Sequence, residues 1–195
     1  MHKHILIIQG HPDWGHAHLA HALASAYAEG AEGAGHTVET IEPARLDFPL
    51  LTSADDWQHG SVPPALAPVQ DAIVRASHLV LLYPLWLGEM PAVLKGFLEQ
   101  VARPGFAINL AERNPLAAGL LKGRSARVVI TMGMPAAVYR LFYGAHSLKA
   151  LKRNILGYVG IAPVRATLIG GAGNLAAARV ERWQDRLRRL GAAAR

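Results

Sequence analysis

Short apolar runs rich in β-branched residues alternate with amphipathic segments along the chain. Five of these runs predict strands, at residues 4–9, 36–41, 78–83, 127–131 and 164–169. Apolar residues spaced by three and four predict helices at residues 16–34, 66–76, 91–101, 147–159 and 175–193. Strand–helix alternation of this kind predicts an α/β fold, a doubly wound five-stranded parallel sheet with helices on both faces.

Length and composition bound what the chain can be. It has 195 residues, of which 51% are hydrophobic and 17% charged, which excludes an intrinsically disordered chain. It contains no cysteine, so disulfides, thiolate metal sites and thiol nucleophiles are excluded. No apolar run approaches the ~20 residues that span a bilayer, and the first apolar run is too short for a secretory signal. We therefore expect one domain over residues 1–195, in the cytoplasm.

The net charge of +6 hides an asymmetry between the two halves. Residues 1–100 carry 4 basic and 11 acidic residues, whereas residues 101–195 carry 16 basic and 3 acidic ones. A basic half is typical of proteins that bind nucleic acid, anionic membranes or phosphate-bearing small molecules, but it also describes an ordinary solvated surface. The basic residues are dispersed and have few aromatic residues between them, so nucleic acid is not the expected partner.

Ligands of such sheets bind at the carboxyl ends of the strands, which directs attention to the loops there. The first, residues 10–18, leads into a helix N-terminus, where free backbone N–H groups and the helix dipole favour an anion such as phosphate. It contains His11, His16 and His18 but neither a G-x-G-x-x-G nor a P-loop motif. Two alternatives stay open: ordinary surface histidines, and a metal site that would add His21.

The loops after the third and fourth predicted strands have a different character. Residues 84–91 form a stiff apolar loop in which Trp86 offers a flat face, suited either to a flavin-like ring or to core or interface packing. Gly133, after the fourth strand, lets the backbone approach a ligand closely. Tyr139 and His146 follow and could donate protons, although a structural tyrosine fits equally well. The glycine-rich residues 170–173 are interpreted as a turn.

Taken together, five segments in this order resemble the NAD(P)H:quinone oxidoreductases of the flavodoxin-like fold, a family that includes flavoprotein ancillary subunits of bacterial potassium-efflux systems. The segments are His11-Pro12, Asp47-Phe48-Pro49-Leu50-Leu51, Tyr83-Pro84-Leu85-Trp86 with Met90-Pro91-Ala92-Val93-Leu94-Lys95-Gly96-Phe97, Pro104-Gly105-Phe106-Ala107, and Leu120-Leu121-Lys122-Gly123-Arg124-Ser125-Ala126. The resemblance implies strand order 2-1-3-4-5 and a non-covalent flavin, FMN or FAD. It also implies two-electron, ping-pong hydride transfer from NAD(P)H to quinones or similar electron-poor aromatics.

The resemblance also implies which residues form the site. The flavin phosphate and ring are expected to contact His11, His16, Ala17, His18, Leu19, Pro84, Leu85, Trp86, Leu87, Thr131, Met132, Gly133 and Met134. Tyr139 matches the tyrosine of the family's proton-relay pair, and His146 matches its histidine with an offset of one residue. The sequence departs from the family where His16 and His18 replace hydroxyl and amide residues. It also departs where Met132 and Met134 place bulkier side chains in the loop after the fourth strand, which is expected to reshape the substrate pocket.

These departures and the basic second half leave a second hypothesis open, a flavin-binding regulatory or ancillary subunit that acts on a transport protein. We further expect a homodimer with a flavin site completed by both chains. The loop at residues 43–65 carries Phe48, Leu50, Leu51 and Trp57, which need either a partner chain or their own sheet to cover them.

Overall fold

The computed structural model describes residues 2–114 and 117–195. Its five parallel strands form one sheet in the order β2-β1-β3-β4-β5, which confirms the predicted topology. The strands are β1 His4–Gln9, β2 Thr37–Ile41, β3 His78–Pro84, β4 Ser125–Met132 and β5 Val164–Gly170. Each lies within two residues of its predicted bounds, because the β-branched runs end at glycine or proline or at a change of polarity.

The α-helices are α1 Leu19–Gly33, α2 Ala54–His59, α3 Ala67–Arg75, α4 Ala92–Val101, α5 Ala136–Leu141, α6 His146–Ala150 and α7 Ala177–Ala192. The helix predicted at residues 147–159 is instead α6 followed by a π-helical segment, Leu151–Gly157. The helices α2 and α5 were not predicted. No helix of the described residues is both long and apolar enough to cross a membrane.

The sheet separates two apolar cores, and the central strand β3 is buried along its whole length. Leu79 and Leu81 pack on the side of α3 and α4, while Val80 and Leu82 pack on the side of α1 and α7. This alternation follows from the two-residue period of a strand, and burial on both faces explains why β3 is apolar throughout.

The long connection between β2 and α3 folds back on the molecule. Phe48 and Trp57 are partly buried against the core on the α4 side, so they are covered by their own chain and not by a partner. Leu50, in contrast, remains 63% exposed. The buried Arg103 holds the connection, because it donates to Oε1 of Gln100 at 2.6 Å and to the Asp56 carboxylate at 3.2 Å.

Candidate functional site

A cleft of ≈ 340 Å³ opens at the carboxyl edge of the sheet, where the loops after β1 and β3 meet the end of β4 and the segment after β5. Its lining residues are His11, His18, Leu19, Ala20, Pro84, Leu85, Trp86, Thr131, Met132, Gly133, Ala172 and Gly173. The three loops singled out in the sequence therefore meet in one place. Its volume lies within the usual range for small-molecule and cofactor sites.

The first loop places two imidazoles face to face. The ring centroids of His11 and His18 are 3.9 Å apart and the rings are nearly parallel, with the ring of His21 5.4 Å from His11. The backbone N–H of Asp13 donates to Nδ1 of His11 at 3.2 Å, which assigns the proton of the neutral ring to Nε2. Burial lowers the pKa of His11, and the neighbouring His18 and His21 lower it further.

The carboxylate of Asp13 organises this loop. It accepts hydrogen bonds from Nε2 of His18 at 2.8 Å and from Nδ1 of His16 at 2.9 Å. These two bonds lower the pKa of Asp13 to about 2, so it stays ionised at physiological pH. Asp13 thus turns His18 toward the cleft, whereas the His16 side chain is 80% exposed and lies outside the lining, as does Ala17.

The N-terminus of α1 forms the anion-attracting end of the cleft. It has no side-chain cap and no acidic residue in its first turn, and Leu19 and Ala20 of that turn line the cleft. Both ring nitrogens of His21 and Nε2 of Gln9 are buried without a hydrogen-bond partner. First-turn N–H groups and the imidazoles of His11 and His18 are donors that a phosphate needs, whereas Gln9 and His21 lie outside the cleft lining.

The opposite wall is apolar and stiff. The backbone N–H of Leu85 donates to the carbonyl of Thr131 at 2.7 Å, which ties this wall to β4. Trp86 and Glu89 then exchange two backbone hydrogen bonds around Leu87 and Gly88, whose φ angles of 48° and 81° are those of a type I′ turn. Leu87 projects from the turn tip into solvent and does not line the cleft.

Trp86 connects the two ends of the cleft. Its ring centroid lies 5.9 Å from that of His11, edge to face, so His11 contacts both the apolar wall and the histidine stack. Gly133 offers open space on the β4 side, since a Cβ there would meet no atom within 4 Å. These features fit a flat ring that carries a phosphate tail.

The cleft lining differs from the predicted site residues in two ways. Ala20, Ala172 and Gly173 line the cleft although the sequence analysis did not select them. Ala172 and Gly173 could have been found from the sequence, because residues 170–173 follow β5, which lies beside β4. Met134, which was selected, packs against the core and lies outside the lining.

Tyr139 and His146 also lie outside the cleft lining. The buried hydroxyl of Tyr139 lies 2.7 Å from Oγ of Ser147 and accepts a hydrogen bond from the backbone N–H of Leu148 at 3.0 Å. His146 is exposed. Among the described residues, no group of three or more His, Cys, Asp or Glu side chains is arranged to hold a metal ion.

Comparisons with known proteins agree with this architecture. A family model described as having a flavodoxin-like fold matches residues 3–191. A relative from Haemophilus influenzae, named "Uncharacterized NAD(P)H oxidoreductase", is 30% identical over 169 residues, which cover 85% of this chain and 82% of that protein.

Two further proteins carry more specific names. The FMN-dependent NADH:quinone oxidoreductase 1 of Hahella chejuensis is 30% identical over 95 residues, 48% of this chain, and the match spans only 43% of that relative. The solved NAD(P)H:quinone oxidoreductase from Methanothermobacter marburgensis superposes with a TM-score of 0.80 at 25% identity, over 98% of this chain and 96% of that one.

Proposed function

Because this chain belongs to the flavodoxin-like fold family, we propose that it is a flavin-dependent NAD(P)H:quinone oxidoreductase. The observation that carries the proposal is the pairing, in one cleft, of an anion-attracting end at His11 and His18 with an apolar wall at Trp86. The names of the two quinone oxidoreductase relatives support the same reaction class.

FMN is the proposed cofactor. His11, His18 and the first-turn N–H groups of α1 would hold its phosphate, and Pro84, Leu85, Trp86 and the backbone near Gly133 would hold its ring. A bound flavin supplies two-electron hydride acceptance and donation, which no side chain of this protein can provide. The relative named FMN-dependent supports FMN over FAD.

The protein's own contribution is position, exclusion of water and charge. The apolar wall removes water from one side of the cleft, and the hydrogen bond from Leu85 to Thr131 fixes the spacing between the wall and β4. Imidazoles and backbone N–H groups offset negative charge at the other end. Because NAD(P)H and the quinone would enter the same cleft, we expect them to occupy it alternately, and hence ping-pong kinetics.

A cytoplasmic location, where metabolism supplies NAD(P)H, is part of the proposal. The alternative of an ancillary subunit acting on a transport protein gains no support from the relatives, which are named as oxidoreductases.

We also propose a homodimer that covers the cleft mouth. Leu141 and Phe142, at the end of α5, are 84% and 80% exposed, and Trp86 and Leu87 expose further apolar surface after the neighbouring strand β3. Exposed apolar surface of this kind is typical of an interface. Light scattering during gel filtration tests it, because a mass of one chain with flavin bound would contradict the dimer.

The function itself is tested by reconstitution. We expect purified protein incubated with FMN to retain it through gel filtration, and to oxidise NADH or NADPH when a quinone is present. Initial rates at several quinone concentrations should give parallel double-reciprocal lines. A protein that binds FMN but shows no quinone-dependent oxidation of either nicotinamide would overturn the proposed activity while leaving the proposed cofactor site intact.

A further inference from the structure

Helix α7 carries a stripe of four exposed arginines, Arg179, Arg182, Arg186 and Arg189, which we call the arginine stripe. Spacings of three, four and three residues place them on one flank of the helix, within about 15 Å along its axis. A shallow groove of ≈ 310 Å³ runs between these side chains and Trp183.

The arginine stripe has no ion-pair partner within the described part of the chain. None of its four guanidinium groups forms an ion pair or a hydrogen bond there, although Arg186 lies over the ring of Trp183 at 5.2 Å. Arg188, on another flank, differs, because it donates to Glu29 at 2.8 Å and to Asp185 at 2.9 Å. Four like charges without partners destabilise a helix, so the stripe is suited to an external anion.

Other charges near the stripe extend its positive field. Burial lowers the pKa of Arg127, and the positive charges of Arg165 and Arg186 lower it further, which places both within electrostatic range of that buried group. Arg165 lies exposed on β5, the edge strand of the sheet. Asp185 lies three residues after Arg182 and four before Arg189, at the border of the stripe, but its carboxylate accepts a hydrogen bond from Arg188 and not from a stripe arginine.

We propose that the arginine stripe docks this protein on a membrane surface that carries anionic lipid. A row of basic side chains on a helix matches a sheet of lipid phosphates by charge density alone, and a neighbouring tryptophan suits the interfacial region. The helix does not insert, because its apolar flank is buried against α1 through Leu187 and Gly191.

Nucleic acid is the weaker occupant. A helix that reads the major groove presents its N-terminal residues to the bases, but α7 begins with Ala177 and Ala178. The tryptophan of the groove already lies under Arg186, which disfavours its stacking on a nucleobase.

The position of the stripe relates it to the cleft. Arg179 follows Gly173, a cleft-lining residue, by six positions, so the stripe begins within about 20 Å of the cleft wall. Quinones with apolar side chains dissolve in bilayers, and docking through α7 would bring the cleft close to them. This last step rests on the proposed quinone reductase activity, whereas the docking itself does not.

Co-sedimentation of the FMN-incubated 195-residue protein with vesicles tests the proposal. We expect binding to phosphatidylcholine vesicles that contain phosphatidylglycerol, no binding to phosphatidylcholine alone, and loss of binding as salt is raised. Changing all four residues, Arg179→Gln, Arg182→Gln, Arg186→Gln and Arg189→Gln, should weaken binding by about 600-fold, at about fivefold per arginine.

The control variant removes four exposed positive charges elsewhere: Arg113→Gln, Arg140→Gln, Lys149→Gln and Arg153→Gln. It has the same net charge as the stripe variant, and it should keep most of the vesicle binding. Equal losses in both variants would overturn the proposal in favour of a non-specific charge effect. Stripe-dependent retention of duplex DNA without vesicle binding would also overturn it. Neither result depends on quinone reduction, which is measured separately.

Discussion

The imidazole rings of His11 and His18 stack with their centroids 3.9 Å apart at the anion-attracting end of the cleft. Two imidazolium rings in this arrangement repel each other unless an anion lies between or beside them. The carboxylate of Asp13 offsets part of that charge through His18, and His11 is kept neutral by burial and by its histidine neighbours, which lower its pKa. Protonation of this stack and anion binding are therefore coupled.

FMN affinity should rise as the pH falls from about 7 to about 6, the range in which the phosphate is still largely a dianion. A bound phosphate raises the pKa of the histidines it touches, so FMN binding takes up protons and is favoured by acid. In the ligand-free protein the pKa of His11 is instead lowered. Quenching of FMN fluorescence measures the dissociation constant at each pH. The double variant His11→Gln and His18→Gln should weaken binding and flatten its pH dependence, while the exposed-site variant His59→Gln should not. An affinity independent of pH in the unmodified protein would contradict the coupling.

Trp86→Ala should weaken FMN binding by about tenfold, since stacking of aromatic rings contributes about 0.5–1.5 kcal/mol beyond area burial. Leu87→Ala is the matched control, because Leu87 is the next residue, fully exposed and outside the cleft. Fluorescence titration of both variants separates the two side chains. Equal affinities in the two variants would show that Trp86 does not contact the ring.

The strands and the location of the cleft could be predicted because they depend on local pattern and on a general rule of parallel sheets. The lining role of Gly173 was missed, because residues 170–173 were interpreted as a turn although the predicted strand order places the segment after β5 beside β4. Leu87 lies outside the cleft because it stands in a turn where it adopts a positive φ. This conformation is uncommon for leucine, so the sequence did not indicate it. Helix α5 has only six residues and no polar N-cap side chain, so its sequence carries no start signal.

The contact between α1 and α7 depends on two glycines. A Cβ on Gly30 would lie 2.0 Å from the carbonyl oxygen of Arg188, and one on Gly191 would lie 2.0 Å from that of Tyr27. Gly30→Ala or Gly191→Ala should therefore lower the free energy of unfolding by about 1–3 kcal/mol. Gly33→Ala, where a Cβ meets no atom within 4 Å, should raise it by about 0.5–1 kcal/mol. Urea denaturation measures whether each variant raises or lowers the free energy of unfolding. A Gly191→Ala variant with an unchanged free energy of unfolding would mean that the helices are farther apart.

Tyr139→Phe should lower the free energy of unfolding by about 1–3 kcal/mol, because it leaves the buried N–H of Leu148 without its acceptor. The hydroxyl lies outside the cleft lining, so we expect kcat for quinone reduction to change little in folded protein. The proton relay implied by the family resemblance predicts the reverse, a large loss of kcat with little change in stability. Denaturation curves and steady-state rates on the same preparation decide between the two roles.

His78 should make the protein less stable in mild acid. Burial lowers its pKa to about 4, with smaller contributions from the positive charges of Lys3, Arg127 and Arg165. Its Nδ1 lies 2.8 Å from Oγ of Ser125, and its Nε2 is buried without a partner. The pKa of His78 is about 6.5 in the unfolded chain. Between that pH and about pH 4 the unfolded chain binds a proton that the folded chain does not, so stability decreases as the pH is lowered across this window.

The loss assigned to His78 amounts to about 3 kcal/mol when the pH reaches about 4. His78→Asn keeps a polar partner for Ser125 but cannot take up the proton, so its unfolding free energy should be lower at neutral pH and less dependent on pH in this window. His59→Asn is the control, because that side chain is 71% exposed and paired only with Asp55. Denaturant midpoints measured across the window in FMN-free protein test this. Parallel pH profiles for the unmodified protein and His78→Asn would show that acid sensitivity arises at other groups, such as the buried His11.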